Sequence, residues 1–405
     1  MINTQNKLPR GIKMNDKLNE EKRYMQVAKE MNLFMLAESA GVVYWKPEGL
    51  KLYENLKSFI RKHHEDAGYL EVKSPSIVVP SLFEQSGHMD KYKDNMFFLN
   101  SSEASNYALR PMSCPNHILI YQSEKRSYRE LPLPIFEFGE VFRNEASGAL
   151  QVLFRQRQFC QDDSHVFVNE ENLISSVNQY IQMSQKAYEE LGFKKIKYAI
   201  ALRPEKRFGD DHLWDKAEEA LREACRMNNL DFVENENDGA FYGPKLELQV
   251  EDKLGRSWQL GVIQLDYVLP ERFGLEYIDA DNKPKRPIIL HHAVLGSLER
   301  MIGILLESFG KEIPDFLHPM KSVVIPVSEK SMEYAKLVFS QFDKKSSKLD
   351  QSADSLGKKI RYWKERGVPE IIVVGEAEQQ RYEVEGVVSF VVNRGAVKEV
   401  RELKL

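Results

Sequence analysis

The spacing of apolar side chains changes along this chain, and the changes mark out its elements. Residues 15–37 read as a charged helix, and 48–67 as a second one ended by Gly68. From about 70 to 295 the apolar period shortens to two. Strands are expected at YLEVKSP, IFEFGEVFR, RQFCQDDSHVFV, LELQVED, RSWQLGVIQLDY and RPIILHH. Helices interrupt them at 172–191 and 214–227. A further helix carries Leu298, Ile302, Leu305 and Phe309 at helical spacing. The fold class is α+β: an antiparallel sheet with flanking helices.

A boundary falls near FLHPMKS (316–322). After it the strand SVVIPV is followed by a helical stretch capped by Ser328. A second helical stretch, 358–366, ends at Gly367 and Pro369. The apolar strand EIIVVGE and a hairpin-like region close the chain. Strands alternating with helices indicate a small α/β domain. The division is therefore 1–41 (extension and linker helix), 42–317 (main domain) and 318–405 (small domain).

Composition narrows the classes. The 405 residues are 42% hydrophobic and 29% charged, enough to bury a sizeable core. No stretch is long and apolar enough for a membrane span, and the N-terminus lacks the apolar run of a secretory signal. Cys114, Cys160 and Cys225 are odd in number and far apart, which argues against a disulfide framework and for a reducing compartment. The net charge of −4 is uneven: residues 321–405 hold 16 Lys/Arg against 13 Asp/Glu. That small domain is the part suited to RNA phosphates.

The segment RQRQFCQDDSHVF carries the densest chemistry. On a strand, Arg155, Arg157, Phe159, Gln161, Asp163, His165 and Phe167 share one face. Burying such a row unpaired costs several kcal/mol per group, roughly, so a polar ligand on a sheet floor fits better than a core. Arginines suit phosphate, an aspartate suits an amine or hydroxyl, and Phe159 suits a flat ring. Arg143 and Arg155 flank an intervening loop and are placed to clamp successive phosphates. No Walker loop or G-x-G-x-x-G follows a strand, so nucleotide binding has to rest on arginines and the sheet. By spacing alone Cys114, His165 and His291 make no metal motif. His292 alternates to the face opposite His291.

FRNEASGAL with RQRQFCQDDSHVF resembles motif 2 of class II aminoacyl-tRNA synthetases. LHHAVLGSLERMIGIL resembles motif 3, with its arginine at Arg300, and YLEVKSPSIVVPSLFEQSGHMDKY resembles motif 1, with Pro75. RPMSCPNH, QDDSH, DGAFYGPKLEL and WQLGVIQLDY place the resemblance in the threonyl branch. It runs from about residue 15 to 376.

The resemblance implies a class II sheet followed by an anticodon-binding-type α/β domain. It implies ATP-dependent attachment of L-threonine to tRNA through threonyl-adenylate, with one Zn2+ per subunit and Mg2+ accompanying ATP. ATP falls to Arg143, Glu145, Arg155, Phe159, Gln259, Ser297 and Arg300, with adenine between Phe159 and Arg300. Threonine falls to Met112, Gln161, Asp163, Tyr242, Lys245 and Gln264. Zinc falls to Cys114, His165 and His291, and it takes the amino and hydroxyl groups of threonine. Arg143, Arg300 and Gln264 are the catalytic candidates. A cytoplasmic homodimer without membrane association is expected.

Gln259 and Gln264 have opposite strand parity, so both face one pocket only if a bulge lies near Gly261. Some positions depart from the family pattern. Arg110 and Asn116 replace a more usual lysine and glycine, His292 an arginine, and Val262 a threonine. The anticodon-domain pattern is reduced to Gly357, Lys359 and Ile360. The N-terminal and editing modules common in the family find no counterpart, so some seryl-tRNA formation without hydrolysis in cis is expected. The alternatives are a threonine-activating paralogue with reduced tRNA charging or a non-translational role, and a catalytically inactive RNA-binding protein.

Overall fold

A computed structural model describes residues 23–38, 41–99, 107–251, 255–385, 387–394 and 397–404. The described residues form two compact units. The first holds those at 37–43 and 57–304, the second those at 23–36, 44–56 and 305–404.

The first unit is built on an eight-stranded sheet. Its strands are β1 (Leu70–Glu71), β2 (Leu133–Phe142), β3 (Gln158–Val168), β4 (Ile196–Ala201), β5 (Phe232–Asn235), β6 (Lys245–Glu251), β7 (Ser257–Asp266) and β8 (Ile288–Ala293). Their order is β5-β4-β6-β7-β8-β3-β2-β1, antiparallel inside and parallel only at the two edge pairs. This is the expected α+β sheet, although β4 and β5 were not expected. The central strand β8 is buried at every position, which is why its sequence reads as an unbroken apolar run before the two histidines.

Helices Leu173–Glu190 and Asp211–Met227 lie close to their expected spans. The second starts three residues before the apolar pattern does, because the Asp210 side chain accepts the Leu213 N–H at 3.1 Å. Tyr180, Tyr188, Leu221 and Ala224 on these helices are fully buried. A large apolar side chain such as Leu221 contributes about 2 kcal/mol of transfer free energy when buried.

Three expectations are corrected. The charged helix drawn over 15–37 covers only 23–30 among the described residues; its first part lies outside them. It closes because Asn32 takes a left-handed φ of 61°, with Leu33 N–H bonded to Ala28 O and Asn32 N–H to Lys29 O. Arg155 and Arg157 precede β3, which begins at Gln158; Arg155 instead bridges back to Gln151. Ser328 stands at a helical N-terminus but makes no side-chain cap.

In the second unit the strands Ser322–Pro326, Ser347–Leu349, Glu370–Val374, Val387–Arg394 and Val397–Lys404 form one mixed sheet. Helices Met332–Phe339, Leu356–Glu365 and Glu376–Glu385 accompany them. Val324, Ile372, Val388 and Phe390 centre one core cluster. This is the small α/β domain read from the sequence, with the helix Glu376–Glu385 added.

Candidate active site

Strand register assembles the site. His165 on β3 stands opposite His291 on β8, His291 opposite Gln264 on β7, and Gln264 opposite Lys245 on β6. Side chains directly opposite in antiparallel strands lie about 5 Å apart at Cβ, so the four form one continuous row. Cys114 reaches the row from the first position of helix Cys114–Gln122, where Pro115 suits the helix start. The ligand atoms of Cys114, His165 and His291 lie within 4.8 Å of one another, and all three residues are buried. Spacing along the sequence shows none of this.

The bulge is present. Glu247 pairs with Val262, yet Gln249 pairs with Gln259, so β7 carries one extra residue between them. Parity resets there, and Gln259 and Gln264 are both half-buried. Gly261 is required at this point: a Cβ would stand 2.7 Å from the Tyr188 hydroxyl and 2.8 Å from that of Tyr180.

Each cluster histidine has one ring nitrogen engaged elsewhere. His291 Nε2 lies 2.8 Å from Asp266 Oδ2. His165 Nδ1 lies 2.7 Å from His117 Nδ1. Nδ1 of His291 and Nε2 of His165 are then the atoms left to ligate. Burial pushes the Cys114 thiol well up, and the Asp163 and Asp266 carboxylates add to this. A thiolate there needs a cation beside it. One sulfur and two imidazoles match zinc, and three protein ligands leave a position for substrate. The donor set therefore fits the metal.

The remaining residues take the following places. The Tyr242 hydroxyl donates to Gln264 Oε1 at 2.8 Å, and the Tyr242 and His291 rings are 5.3 Å apart. Lys245 Nζ pairs with Glu247 Oε1 at 2.5 Å. Gln161 and Asp163 are half-buried on the face that includes His165, as the alternation anticipates. Burial raises Asp163 above the usual carboxylate range. Met112 packs against the cluster of Val78, Phe83, Met96 and Ala108. The Ser297 hydroxyl accepts the Arg300 N–H at 3.2 Å, opening helix Leu298–Phe309, and Ser297 bridges to Gln161.

The arginines form a positive mouth. The Arg143 guanidinium sits 5.1 Å from the centre of the Phe159 ring, and its Nε donates to Pro111 O at 3.2 Å. Arg300 Nε donates to Phe154 O at 3.1 Å. Burial, then the charges of Arg143 and Arg155, lower Arg300 from its ordinary value. Arginines close enough to repel one another are an arrangement suited to an anion. Arg155 is paired with Glu145, Nη2 to Oε2 at 2.9 Å, so these two nucleotide candidates here hold each other.

His292 faces the opposite side of the sheet, with Nε2 2.8 Å from the Tyr69 hydroxyl. Asp162 is also there, accepting the N–H groups of Val294 and Leu295 at 2.9 and 3.1 Å and so fixing the turn before Arg300. The sequence reading missed His117, Glu137 and Asp266. Asp266 had a usable signal, since it shares parity with Gln264 two residues earlier.

An antiparallel sheet bearing arginines in place of a phosphate loop, beside a Cys/His cluster, defines a class II synthetase core. The chain matches the family described as tRNA synthetase class II core domain (G, H, P, S and T) over residues 97–309. Residues 321–401 match the anticodon binding domain family. It is 42% identical over 368 residues to a threonine–tRNA ligase of Cupriavidus necator, covering 90% of this chain. One from Burkholderia mallei is likewise 42% identical, over 364 residues and 89% of this chain. The chain spans 58% and 57% of the lengths of these relatives. A solved RNA binding domain of threonyl-tRNA synthetase from Cryptosporidium parvum superposes with a TM-score of 0.88 at 35% identity, covering 93% of this chain and 95% of that one. A Giardia lamblia prolyl-tRNA synthetase shares the fold, with a TM-score of 0.72 at 18% identity over 96% of this chain and 75% of that one. The chain therefore belongs to the class II tRNA synthetases and, within them, to the threonyl-tRNA synthetase family.

Proposed function

We propose that this chain ligates L-threonine to threonine tRNA through threonyl-adenylate. The observation that carries the reading is the buried Cys114–His165–His291 cluster beside Asp163 on a sheet fronted by arginines. Zinc held by those three residues would supply a Lewis-acid position for the amino and hydroxyl groups of the amino acid. Asp163 accepts a hydrogen bond from that hydroxyl. Valine, which has the shape without the hydroxyl, is rejected because the polar groups would be left unpaired.

The chain supplies charge and orientation, and no nucleophile of its own. The threonine carboxylate attacks the α-phosphorus of ATP, and pyrophosphate leaves. Arg143 and Arg300 stabilise the charge developing on the phosphoryl oxygens. Tyr242 orients Gln264 by its hydrogen bond, and Gln264 is the side chain this reading offers to the ribose hydroxyl of the terminal tRNA nucleotide. That hydroxyl then attacks the threonyl carbonyl and AMP leaves. The anticodon-binding family match over 321–401 supports tRNA as partner over a non-translational role. A homodimer belongs to the same reading.

Aminoacylation of threonine tRNA with threonine and serine in parallel tests it, alongside ATP–pyrophosphate exchange. Charging with threonine is expected, and exchange without charging would favour the threonine-activating paralogue. Cys114→Ser is expected to lose zinc and threonine activation together. Full activity in a metal-free Cys114→Ser protein would refute the zinc assignment.

A further inference from the structure

Glu137 is buried, and donors meet both oxygens of its carboxylate. Its Oε1 accepts the Ser74 hydroxyl at 2.8 Å and Arg110 Nη1 at 2.6 Å. Its Oε2 accepts the Ser74 N–H at 3.0 Å. The side chains of Arg110 and Glu137 are each only 2% exposed. A guanidinium is always protonated, so this carboxylate is an acceptor and nothing else. The third side chain at Oε1 is His117, whose Nε2 lies 3.3 Å away.

That arrangement constrains where the histidine protons sit. An Nε2 lone pair 3.3 Å from that anion would be repelled, so a neutral His117 carries its proton on Nε2, although the contact lacks hydrogen-bond alignment, and its Nδ1 is then a lone pair. The Nδ1 atoms of His117 and His165 are 2.7 Å apart, and both rings are buried. Two lone pairs cannot meet at that distance, so His165 is protonated on Nδ1. Its Nε2 is left unprotonated, which is the state a metal requires of a ligating imidazole.

We propose that Glu137 and His117 are positioning residues that fix the tautomer of His165 and so prepare it to hold zinc. The proposal rests on the metal-site reading above. The relay runs from Arg110 through Glu137 and His117 to His165, and two of this chain's departures from the family pattern stand at its far end. Arg110 donates to Glu137, while the Asn116 amide donates to Ser74 Oγ at 3.1 Å and Pro75 O at 2.9 Å, holding the serine that holds the carboxylate. A carboxylate joined to a ligand through a second imidazole extends the usual carboxylate–histidine–metal arrangement by one ring.

The test compares zinc affinity, by competition with a chromophoric chelator, in the whole chain and three variants. Wild type is expected to bind one zinc per chain. His117→Leu removes the acceptor and is expected to weaken zinc by roughly 10- to 100-fold. His117→Asn places an amide oxygen where Nδ1 stood and is expected to stay within about threefold of wild type, as an acceptor at that point suffices. Glu137→Gln keeps an amide oxygen toward His117, because Arg110 and the Ser74 hydroxyl donate to that same atom, and is expected to stay within about threefold of wild type. Circular dichroism reports folding. If a variant does not fold, nitrogen-15 shifts of the wild-type histidines decide, with a protonated Nδ1 expected on His165. Wild type without zinc would overturn the metal site and the relay with it. Zinc-replete wild type with an unaffected His117→Leu, with His117→Asn as weak as His117→Leu, or with an unprotonated Nδ1 on His165 would overturn the relay alone.

Discussion

Asp266 divides its buried carboxylate between His291 and the backbone. Oδ2 lies 2.8 Å from His291 Nε2, while Oδ1 accepts the N–H groups of Val268 and Leu269 at 2.7 and 2.9 Å. The strand end, the following helical turn and one candidate ligand are thus tied to one residue. Asp266→Ala is expected to release the His291 ring and leave two N–H groups unsatisfied. Zinc affinity should fall roughly 10- to 100-fold and unfolding free energy by about 1–3 kcal/mol. Chelator competition and denaturant titration read the two effects. Loss of stability with unchanged zinc affinity would remove Asp266 from the metal site.

Parity made the face of β3 legible, because a row of polar side chains on a strand of a large domain is costly to bury unpaired and points to a ligand instead. Parity also demanded a bulge at Gly261, and one is there. What it could not supply is which strands lie side by side. His165 and His291 face each other only because β3 and β8 are neighbours, and nothing local to either sequence says so. The helix Glu376–Glu385 escaped for another reason: it has no buried residue among those described, so it leaves no apolar stripe to read. Asn32 ended a helix that composition would have continued, since one left-handed residue outweighs several residues of helical propensity.

Arg143 and Arg155 are expected to differ in kind. Arg143 is held over Phe159 by a bond to Pro111 O, while the Arg155 side chain is 42% exposed and already has Glu145 as partner. Arg143→Ala should lower the rate of ATP–pyrophosphate exchange by roughly 100- to 1,000-fold, the cost of removing one preorganised donor to a developing charge. Arg155→Ala should act on the KM for ATP by about tenfold, with a smaller change in rate. Equal rate losses in both would contradict the division.

Gly261→Ala is expected to destabilise the fold by about 1–3 kcal/mol, the range of an overpacked core. The added methyl meets the hydroxyls of Tyr188 and Tyr180, which themselves bond Val294 O and Ala293 O. The strain falls on the segment after His291, so threonine-dependent exchange should drop as well. Thermal unfolding and exchange on one preparation check this. A variant as stable as wild type would mean that the bulge has room the packing does not suggest.

Acid should destabilise the protein through His64. Burial lowers this ring to about 4, and it stays neutral between Ile60 O and the Ser164 hydroxyl, each 3.0 Å away. The unfolded chain binds its proton near pH 6.5, so the unfolded state takes up more protons between about 6.5 and 4. Stability from this group is therefore complete above pH 6.5 and lost as pH falls towards 4, by roughly 3 kcal/mol. Other groups titrate in the same window, so the informative quantity is the difference from His64→Gln. Denaturant unfolding at a series of pH values should show about one proton fewer linked to unfolding in the variant. Identical pH slopes would show that His64 is not the group responsible.

Asp163 should control the choice between threonine and valine. Its carboxylate is half-buried two residues from His165 on the same strand face, and it pairs across the sheet with the backbone of Glu137. An acceptor fixed there meets the one hydrogen-bonding group that distinguishes the two amino acids. Asp163→Ala removes the acceptor and leaves the three proposed ligands in place. Exchange with threonine should fall by about 100-fold, because a polar group bound without its partner costs about 1–3 kcal/mol. Exchange with valine gains nothing from the aspartate and should change little, so the threonine-to-valine ratio narrows by about the same factor. Serine carries the same hydroxyl and should fall in parallel with threonine. Exchange assays with the three amino acids, together with zinc content, decide the matter. A ratio that holds at its wild-type value in a zinc-replete Asp163→Ala protein would place hydroxyl recognition elsewhere in the pocket.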